Sequence, residues 1–294
     1  MTNTVYTLQL NTEQQQKLYQ AWESFQAKAP AYAKWQLRPE NCVITCYSSG
    51  KTVFQGKDAY IYAATFLGDV DEKKSNPQNS TYIPDILPAA GSDEVGTGDY
   101  FGPVCVVATI IDQDTDSLLH ELGVRDSKQL NDKDICKIAP KLMQRIPYSL
   151  LILDNEKYNI VHAQNNMNAI KSKLHNKAYV NLLHRTGLPE FKVVDQFTPE
   201  SSYYHYLKGE PIIVRGIHFE TKAEDKYPAV GAASVIARYA FLRKMQEMEK
   251  EWDMTFAKGA GPAVDLCARQ FVERYGKENL NKVAKIHFKN TERI

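Results

Sequence analysis

The stretch GSDEVGTGDYFGPV, residues 91–104, places two neighbouring acids, Asp93 and Glu94, between an apolar run and a glycine-rich turn. Adjacent carboxylates repel each other and are costly to remove from water, so the pattern favours a site where a divalent cation neutralises them. The three glycines of the turn would let a phosphodiester backbone approach main-chain N–H groups. An exposed turn whose acids face water is the alternative interpretation of this stretch.

Outward from this stretch, apolar, β-branched runs alternate with helical patterns toward the C-terminus. Strands are predicted over residues 89–95, 104–111, 148–153, 191–194 and 211–214. Helices are predicted over residues 131–145, 167–183, 229–252 and 264–275. Because strands and helices interleave around a largely apolar set, we expect an α/β layer fold with one central sheet.

The first 68 residues predict a separate α+β domain. We expect a strand over 5–10, a helix from the cap at Asn11 to about Ala27, hairpin strands over 42–48 and 51–55, and a helix over 58–67. Residues 69–88 are charged and rich in Pro, Ser and Asn, which is typical of a linker. The expected organisation is a domain over 1–68, a linker over 69–88 and a second domain over 89–294.

The composition, with 294 residues, 43% hydrophobic and 24% charged, is that of an ordinary globular protein long enough for two domains. No apolar run approaches the roughly 18 residues that a membrane helix needs, and no secretory signal is expected. Five scattered cysteines predict reduced thiols in the cytoplasm, with Cys42 and Cys46 interpreted as strand residues rather than a metal or redox pair. The net charge of +1 does not by itself indicate a nucleic-acid partner.

Three further segments contain candidate functional residues. Asp195 ends the apolar run FKVVD and is either a metal ligand or a helix cap. Glu224 lies in TKAEDKYPAVGAASVIAR, residues 221–238, before a small-residue helix start that could pack closely on a sheet; a solvated loop is the alternative. In the triplet that begins at residue 126, Ser127 could donate a hydrogen bond and Lys128 could hold a phosphate, unless the triplet is only a capping turn.

Taken in their order along the chain, these four segments resemble the motifs of the type 2 ribonuclease H family, and more closely those of its ribonuclease HIII branch. DEVGTGDYFGPV is similar to the signature DEAGRGxxxGPV, DSKQL to DSKxL, and FKVVDQF to the third acidic strand. KAEDKYPAVGAASVIAR is similar to the block K-A-D/E-x-x-Y-P-x-x-x-A-A-S-I-I-A-R/K. The match runs from about residue 89 to the C-terminus. The resemblance implies a ribonuclease H-like mixed central sheet flanked by helices.

The resemblance also implies the chemistry of the site. Asp93, Glu94, Asp195 and Glu224 align with the family's four catalytic, metal-binding carboxylates. The fourth is glutamate in the HIII branch and aspartate in the HII branch, and a shift of one position would place Asp225 there instead. Such a site binds two Mg²⁺ or Mn²⁺ ions and hydrolyses the RNA strand of RNA/DNA hybrids, leaving 5′-phosphate and 3′-OH ends.

The turn Gly96, Thr97 and Gly98 aligns with the family's substrate-reading Gly-Arg-Gly turn. With Ser127 and Lys128, it is expected to contact the scissile phosphate and the neighbouring 2′-OH. Thr97 replaces the family's arginine, which weakens any inference that single embedded ribonucleotides are recognised and fits the HIII preference for runs of ribonucleotides. Cleavage at single ribonucleotides, as in the HII branch, stays the alternative specificity.

Members of the HIII branch also have a small N-terminal α+β domain, similar to half of TATA-binding protein, that grips the hybrid. The stretch YSSGKTVFQGKDA, residues 47–59, resembles its hairpin. Tyr47, Lys51 and Phe54 are therefore expected to contact the duplex, although Phe54 could equally be core. We expect a cytoplasmic monomer whose partner is an RNA/DNA hybrid and not a membrane. Two other interpretations, a non-catalytic nucleic-acid-binding protein and a nuclease of DNA junctions, explain the aligned motifs less well.

Overall fold

A computed structural model of the chain describes residues 4–30, 33–59, 62–63, 86–124 and 130–294. It divides into two units, residues 1–78 and 79–294. Most of the expected linker at 69–88 and most of the expected helix at 58–67 lie outside the described residues, so the domain boundaries stay a prediction.

The first unit contains a five-stranded antiparallel sheet. Its strands are β1 (Thr4–Gln9), β2 (Gln26–Ala27), β3 (Ala33–Leu37), β4 (Cys42–Tyr47) and β5 (Lys51–Gly56), in the order β1-β5-β4-β3-β2. Helix α1 (Thr12–Trp22) begins after Asn11, whose side chain accepts a hydrogen bond from the Gln14 amide. Leu18 of this helix belongs to the same buried cluster as the sheet residues Ile44 and Phe54.

Two expectations for this unit are wrong in detail, and one strand was not expected. The helix expected to reach Ala27 ends at Trp22, because a 3₁₀ turn, Glu23–Phe25, leads into β2, which pairs with β3. Strand β3 was not predicted. Phe54 has no exposed surface, since it pairs with Ile44 on the face of the sheet that packs against α1, and it is therefore core rather than a duplex contact.

The second unit is built on a mixed sheet, as expected. Its strands are β6 (Ala89–Val95), β7 (Val104–Ile111), β8 (Tyr148–Leu153), β9 (Phe191–Asp195) and β10 (Ile217–Glu220), in the order β10-β9-β6-β7-β8. Strands β10, β9 and β6 are parallel, whereas β7 is antiparallel to both of its neighbours. The central strand β6 therefore has a parallel neighbour on one side and an antiparallel neighbour on the other.

Helices cover both faces of this sheet. They are α2 (Gln113–Glu121), α3 (Asp132–Arg145), α4 (Asn155–His162), α5 (Met167–Thr186), α6 (Glu200–Tyr206), α7 (Pro228–Glu251), α8 (Pro262–Tyr275) and α9 (Leu280–Val283). Helices α2, α3 and α7 form one apolar cluster with the sheet, and α4, α5 and α6 form a second on the other face. None of the described helices is long and apolar enough to cross a membrane.

One predicted strand of the second unit is wrong. Residues 211–214 are irregular, because their backbone groups form hydrogen bonds with the side chain of Asn176 on α5 instead of with a neighbouring strand. The Asn176 amide donates to the Ile212 carbonyl at 2.8 Å, and its oxygen accepts from the Val214 amide at 2.9 Å. The strand at this edge is instead β10, Ile217–Glu220, where His218 and Glu220 interrupt the apolar pattern.

The start of α7 lies unusually close to the sheet, as its small residues predict. A Cβ atom at Gly91 would lie 2.4 Å from the Val230 nitrogen, so only glycine permits this approach. The Thr109 hydroxyl donates to the Ala229 carbonyl at 2.7 Å. These contacts bring the first turns of α7 against the end of β6, where Asp93 and Glu94 lie.

Candidate active site

Two of the predicted acids, Asp93 and Asp195, lie near the carboxyl ends of neighbouring parallel strands. The register of β6 and β9 pairs Ser92 with Val194, so the next residues along, Asp93 and Asp195, emerge at the same edge of the sheet. Asp93 is buried, with 8% of its surface exposed, and Asp195 is partly buried. An oxygen of Asp195 accepts a hydrogen bond from the Ala223 amide at 3.0 Å. The carboxyl end of this parallel pair is thus an acidic site.

Asp93 and Glu94 face opposite sides of the sheet, because successive strand residues alternate. Asp93 faces α7, where Ser234 hydrogen-bonds its carboxylate. Glu94 faces α5 on the other side, together with Ser92. The amide of Glu94 also donates to Oδ1 of Asp93 at 2.7 Å, which ties the two acids together at the strand end.

Glu94 is held by two cationic or ionisable side chains of α5. Lys171 forms an ion pair with Oε1, and Nε2 of His175 lies 2.8 Å from Oε2. The other ring nitrogen of His175 lies 2.8 Å from the Ser92 hydroxyl, so both nitrogens of this fully buried ring are engaged. Burial raises the pKa of Glu94, but hydrogen bonding and charge from His175 and Lys171 outweigh it and leave the pKa below its usual value.

The pKa values of Asp93 and Asp195 are shifted in the opposite direction from that of Glu94: both are raised. Burial raises the pKa of Asp93 well above its usual value, and the negative charges of Glu94 and Asp195 raise it further. The pKa of Asp195 is raised by burial and by the charges of Glu224 and Glu94. The four carboxylates therefore act on one another electrostatically, and this repulsion is what a bound divalent cation would offset.

Glu224 lies in a 3₁₀ turn, Ala223–Asp225, that follows β10. The turn is anchored by the hydrogen bond from Ala223 to Asp195. The charge of Glu224 raises the pKa of Asp195, whereas the charge of Asp225 contributes to raising the pKa of Lys226. Of the two acids, Glu224 is the one whose charge contributes to the pKa shift of Asp195.

Comparisons with known proteins agree with this geometry. The family model described as Ribonuclease HII matches residues 90–291, and one described as a domain of unknown function (DUF3378) matches residues 4–79. Ribonuclease HIII of Bacillus subtilis (strain 168) is 41% identical over 304 residues, which cover 100% of this chain and 97% of the relative. Ribonuclease HIII of Bacillus mycoides (strain KBAB4) is 39% identical, with 100% of this chain and 98% of the relative covered. The chain belongs to the ribonuclease HIII family.

A solved structure of the same family supports the fold. The crystal structure of Bst-RNase HIII in complex with Mn²⁺ matches with a TM-score of 0.68 at 36% identity, covering 99% of this chain and 97% of that one. The chain is therefore a ribonuclease H, a hydrolase, as predicted. The five-stranded sheet of the first unit is consistent with the expected TATA-binding-protein-like domain.

As in the family's signature, the glycine-rich turn follows β6 directly. Gly96 has a φ of 97°, and a Cβ atom there would lie 2.1 Å from the Pro103 carbonyl oxygen, so the position requires glycine. Gly98 is exposed and faces open space, and Thr97 between them is partly exposed. The turn thus presents accessible backbone beside the acidic site.

The remaining predicted contacts are distributed over the chain. Ser127 and Lys128 lie outside the described residues. Tyr47 and Lys51 lie at the ends of β4 and β5 in the first unit, partly exposed and exposed respectively, on strands whose buried residues face α1. All five cysteines are free, and Cys42 and Cys46 are buried strand residues, which agrees with the interpretation from sequence.

Lys171 and His175 were not predicted as site residues. Helix α5 was predicted from its apolar stripe, which includes Ile170 and Leu174. The available signal was a lysine and a histidine four residues apart, hence on one helix face, inside a helix with many buried positions. That spacing alone does not identify which acid the pair meets.

The donor set fits a hard divalent cation, because Asp93, Glu94, Asp195 and Glu224 all offer carboxylate oxygens. Over the ranges that the structure describes, no three His, Cys, Asp or Glu side chains are already gathered around one point as metal ligands. Asp93 and Glu94 face opposite sides of β6, and Glu94 forms an ion pair with Lys171.

Proposed function

We propose that this protein is an endonuclease that hydrolyses the RNA strand of RNA/DNA hybrids with the help of two Mg²⁺ or Mn²⁺ ions, leaving 5′-phosphate and 3′-OH ends. The proposal rests mainly on one observation: the buried carboxylate of Asp93 lies near the end of β6, beside Asp195 at the end of β9, and the charges of Glu94 and Asp195 raise the pKa of Asp93. Buried acids in mutual repulsion are costly for a protein that only binds nucleic acid, because they also repel phosphates.

Asp93, Glu94, Asp195 and Glu224 are the residues proposed to hold the ions. Divalent ions, when bound, would lower the pKa of the attacking water and stabilise the leaving 3′ oxygen. The Ser234 and Ala223 hydrogen bonds orient Asp93 and Asp195, and the loop after β10 carries Glu224. Bst-RNase HIII, which was crystallised in complex with Mn²⁺, supports a divalent requirement.

The turn at Gly96, Thr97 and Gly98 is proposed to bind the ribonucleotide next to the scissile phosphate. Its exposed backbone can donate to phosphate or 2′-OH oxygens, and the 2′-OH is the group that distinguishes RNA from DNA. Ser127 and Lys128 are proposed as further phosphate contacts. Because Thr97 replaces arginine, we propose a preference for continuous runs of ribonucleotides over single embedded ones.

The N-terminal domain is proposed to grip the hybrid through Tyr47 and Lys51, without Phe54. The outward positions next to Phe54 on β5, Val53 and Gln55, alternate with the buried ones and are the better candidates on that strand. We retain the proposed boundaries of 1–68, 69–88 and 89–294 for this domain, the linker and the catalytic domain. We also propose that the protein acts as a cytoplasmic monomer.

The direct test is cleavage of an end-labelled RNA/DNA hybrid, with Mg²⁺, with Mn²⁺ and with EDTA. Single-stranded RNA, duplex RNA, duplex DNA and DNA with one embedded ribonucleotide serve as controls. We expect metal-dependent internal cuts in the RNA of the continuous hybrid and much slower cleavage at the single ribonucleotide. Equal cleavage of duplex RNA, or cleavage of the hybrid in EDTA, would refute the proposal.

A further inference from the structure

Lys171 is a buried lysine whose charge lies inside the acidic site. Its side chain is 10% exposed, its ammonium pairs with Oε1 of Glu94, and Nζ lies 4.0 Å from the centre of the Phe197 ring. The same charge acts on Asp195, where it counters the upward pKa shift. One ammonium thus compensates two of the four acids proposed to bind metal.

His175, one helical turn further along α5, holds the same carboxylate in a different way. Its ring is fully buried, stacks on Phe197 with centroids 5.2 Å apart, and is fixed at both nitrogens by Ser92 and Glu94. A ring held on three sides cannot leave its carboxylate without breaking the packing around it. Lysine differs, because its ammonium is carried on a flexible four-carbon stem.

A divalent ion and the ammonium of Lys171 compete for the same negative charge. Ligation by Glu94 requires the oxygens that Lys171 and His175 now contact, and two positive charges at such short range repel strongly where water is scarce. A carboxylate can accept several interactions at once, so the contact between His175 and Glu94 can stay while an ion binds. Lys171 is the partner whose charge opposes the ion.

We infer that Lys171 is an exchangeable counter-ion of the metal site, which neutralises Glu94 while no ion is bound and moves away when Mg²⁺ or Mn²⁺ arrives. His175 stays in place and fixes the orientation of Glu94 in both states. The inference rests on the proposed metal-dependent function, since it concerns the same site. It predicts effects of opposite sign from two side chains that contact one carboxylate.

The test measures the Kd for Mn²⁺ in the full-length protein without nucleic acid, from the electron paramagnetic resonance signal of free Mn²⁺. Lys171→Met removes the competing charge and should tighten binding roughly tenfold, on the scale of one close charge pair. Lys171→Arg keeps the charge and should leave the Kd near the wild-type value. His175→Gln should weaken binding by roughly tenfold, as is usual for residues that orient metal ligands.

Thermal unfolding with and without Mn²⁺ gives a second, independent measure of metal binding. Without metal, Lys171→Met leaves Glu94 buried beside only one partner, so its Tm should fall below that of the wild type. Saturating Mn²⁺ should then raise the Tm more in Lys171→Met than in the wild type, because tighter binding stabilises the folded state more. Lys171→Gln provides a second neutral variant if Lys171→Met does not fold.

The outcomes separate the inference from the proposed function. If the wild type cleaves the hybrid with Mn²⁺ but the neutral variants bind Mn²⁺ equally well or more weakly, Lys171 is a fixed partner of Glu94 and the inference is wrong. If the wild type neither binds Mn²⁺ nor cleaves the hybrid, the proposed function itself fails. Tighter binding in both neutral variants, with no change in Lys171→Arg, supports the exchange.

Discussion

At the end of β6, Asp93 faces α7 and Glu94 faces α5, and the two helices offer these neighbouring acids different partners. Asp93 meets Ser234 and the charges of two other acids, and its pKa is raised. Glu94 meets Lys171 and His175, and its pKa is lowered. Adjacent residues in the same motif are thus prepared differently: one is strained by repulsion that a cation would relieve, and the other is already neutralised and oriented.

The largest expected effect comes from Asp93. Asp93→Asn keeps the shape and the bond to Ser234 but removes the charge that the ions need. We expect hybrid cleavage to fall on the order of 10³-fold, the size seen when a group acting on transition-state charge is lost. Hybrid binding, measured by fluorescence anisotropy, should be unchanged or tighter. Near-normal turnover of this variant with Mg²⁺ would contradict the role of Asp93.

The turn that follows the two acids allows a matched comparison of two glycines. Gly96→Ala forces a side chain into a positive φ and against the Pro103 carbonyl, so we expect a loss of about 3 kcal/mol in the free energy of unfolding. Gly98→Ala meets nothing within 4 Å and should be nearly neutral in stability. Urea unfolding of both variants checks the pair, and equal stabilities would show that the turn is not constrained in this way.

On the Glu94 side, His175→Ala should lower kcat about 10- to 100-fold, because Glu94 loses the partner that orients it. The KM for the hybrid should change little, since His175 is buried and does not reach the surface. Partial recovery of kcat in His175→Gln, which can still donate to Glu94, would distinguish orientation from a general loss of structure. A rise in KM with kcat unchanged would argue against the assignment.

The smallest effects are on stability without metal, and their signs should differ. The pKa of Asp93 is raised in the folded protein, so its ionised form costs stability as pH rises above the pKa of the unfolded chain. Asp93→Asn should therefore stabilise the protein at pH 7. The pKa of Glu94 is lowered in the folded protein, so its ionised form stabilises above the pKa of the unfolded chain, and this contribution disappears as pH falls. Glu94→Gln should therefore destabilise the protein at pH 7.

Urea unfolding at pH 7 and near pH 4, in EDTA, measures the stability changes caused by Asp93→Asn and by Glu94→Gln. At the lower pH each difference from the wild type should shrink, since the acids are then increasingly protonated in the unfolded chain. Changes of the same sign for Asp93→Asn and Glu94→Gln would remove the contrast between the two sides of the strand.

Much of this arrangement follows from the sequence, and the exceptions have physical causes. The positions of Asp93 and Asp195 near strand ends were predictable, because each follows an apolar run that is typical of a buried strand. The irregular segment at 211–214 was not, since it depends on the side chain of Asn176, which is distant in sequence.

The partners of Glu94 could not be predicted from the sequence either. The contacts of Lys171 and His175 with Glu94 depend on which face of β6 Glu94 occupies and on where α5 packs. The burial of Phe54 could not be predicted for the same kind of reason. The alternation of residues along β5 was evident from the sequence, but the face of the sheet that packs against α1 depends on the tertiary structure.

We propose that the acids near the end of β6 bind the metal that acts on the hybrid. Anomalous diffraction from Mn²⁺-soaked crystals of the wild type and of Asp93→Asn would locate this metal. We expect a strong manganese peak in direct contact with the Asp93 carboxylate in the wild type, and its loss or marked weakening in the variant. A peak bound elsewhere, with none at Asp93, would contradict it.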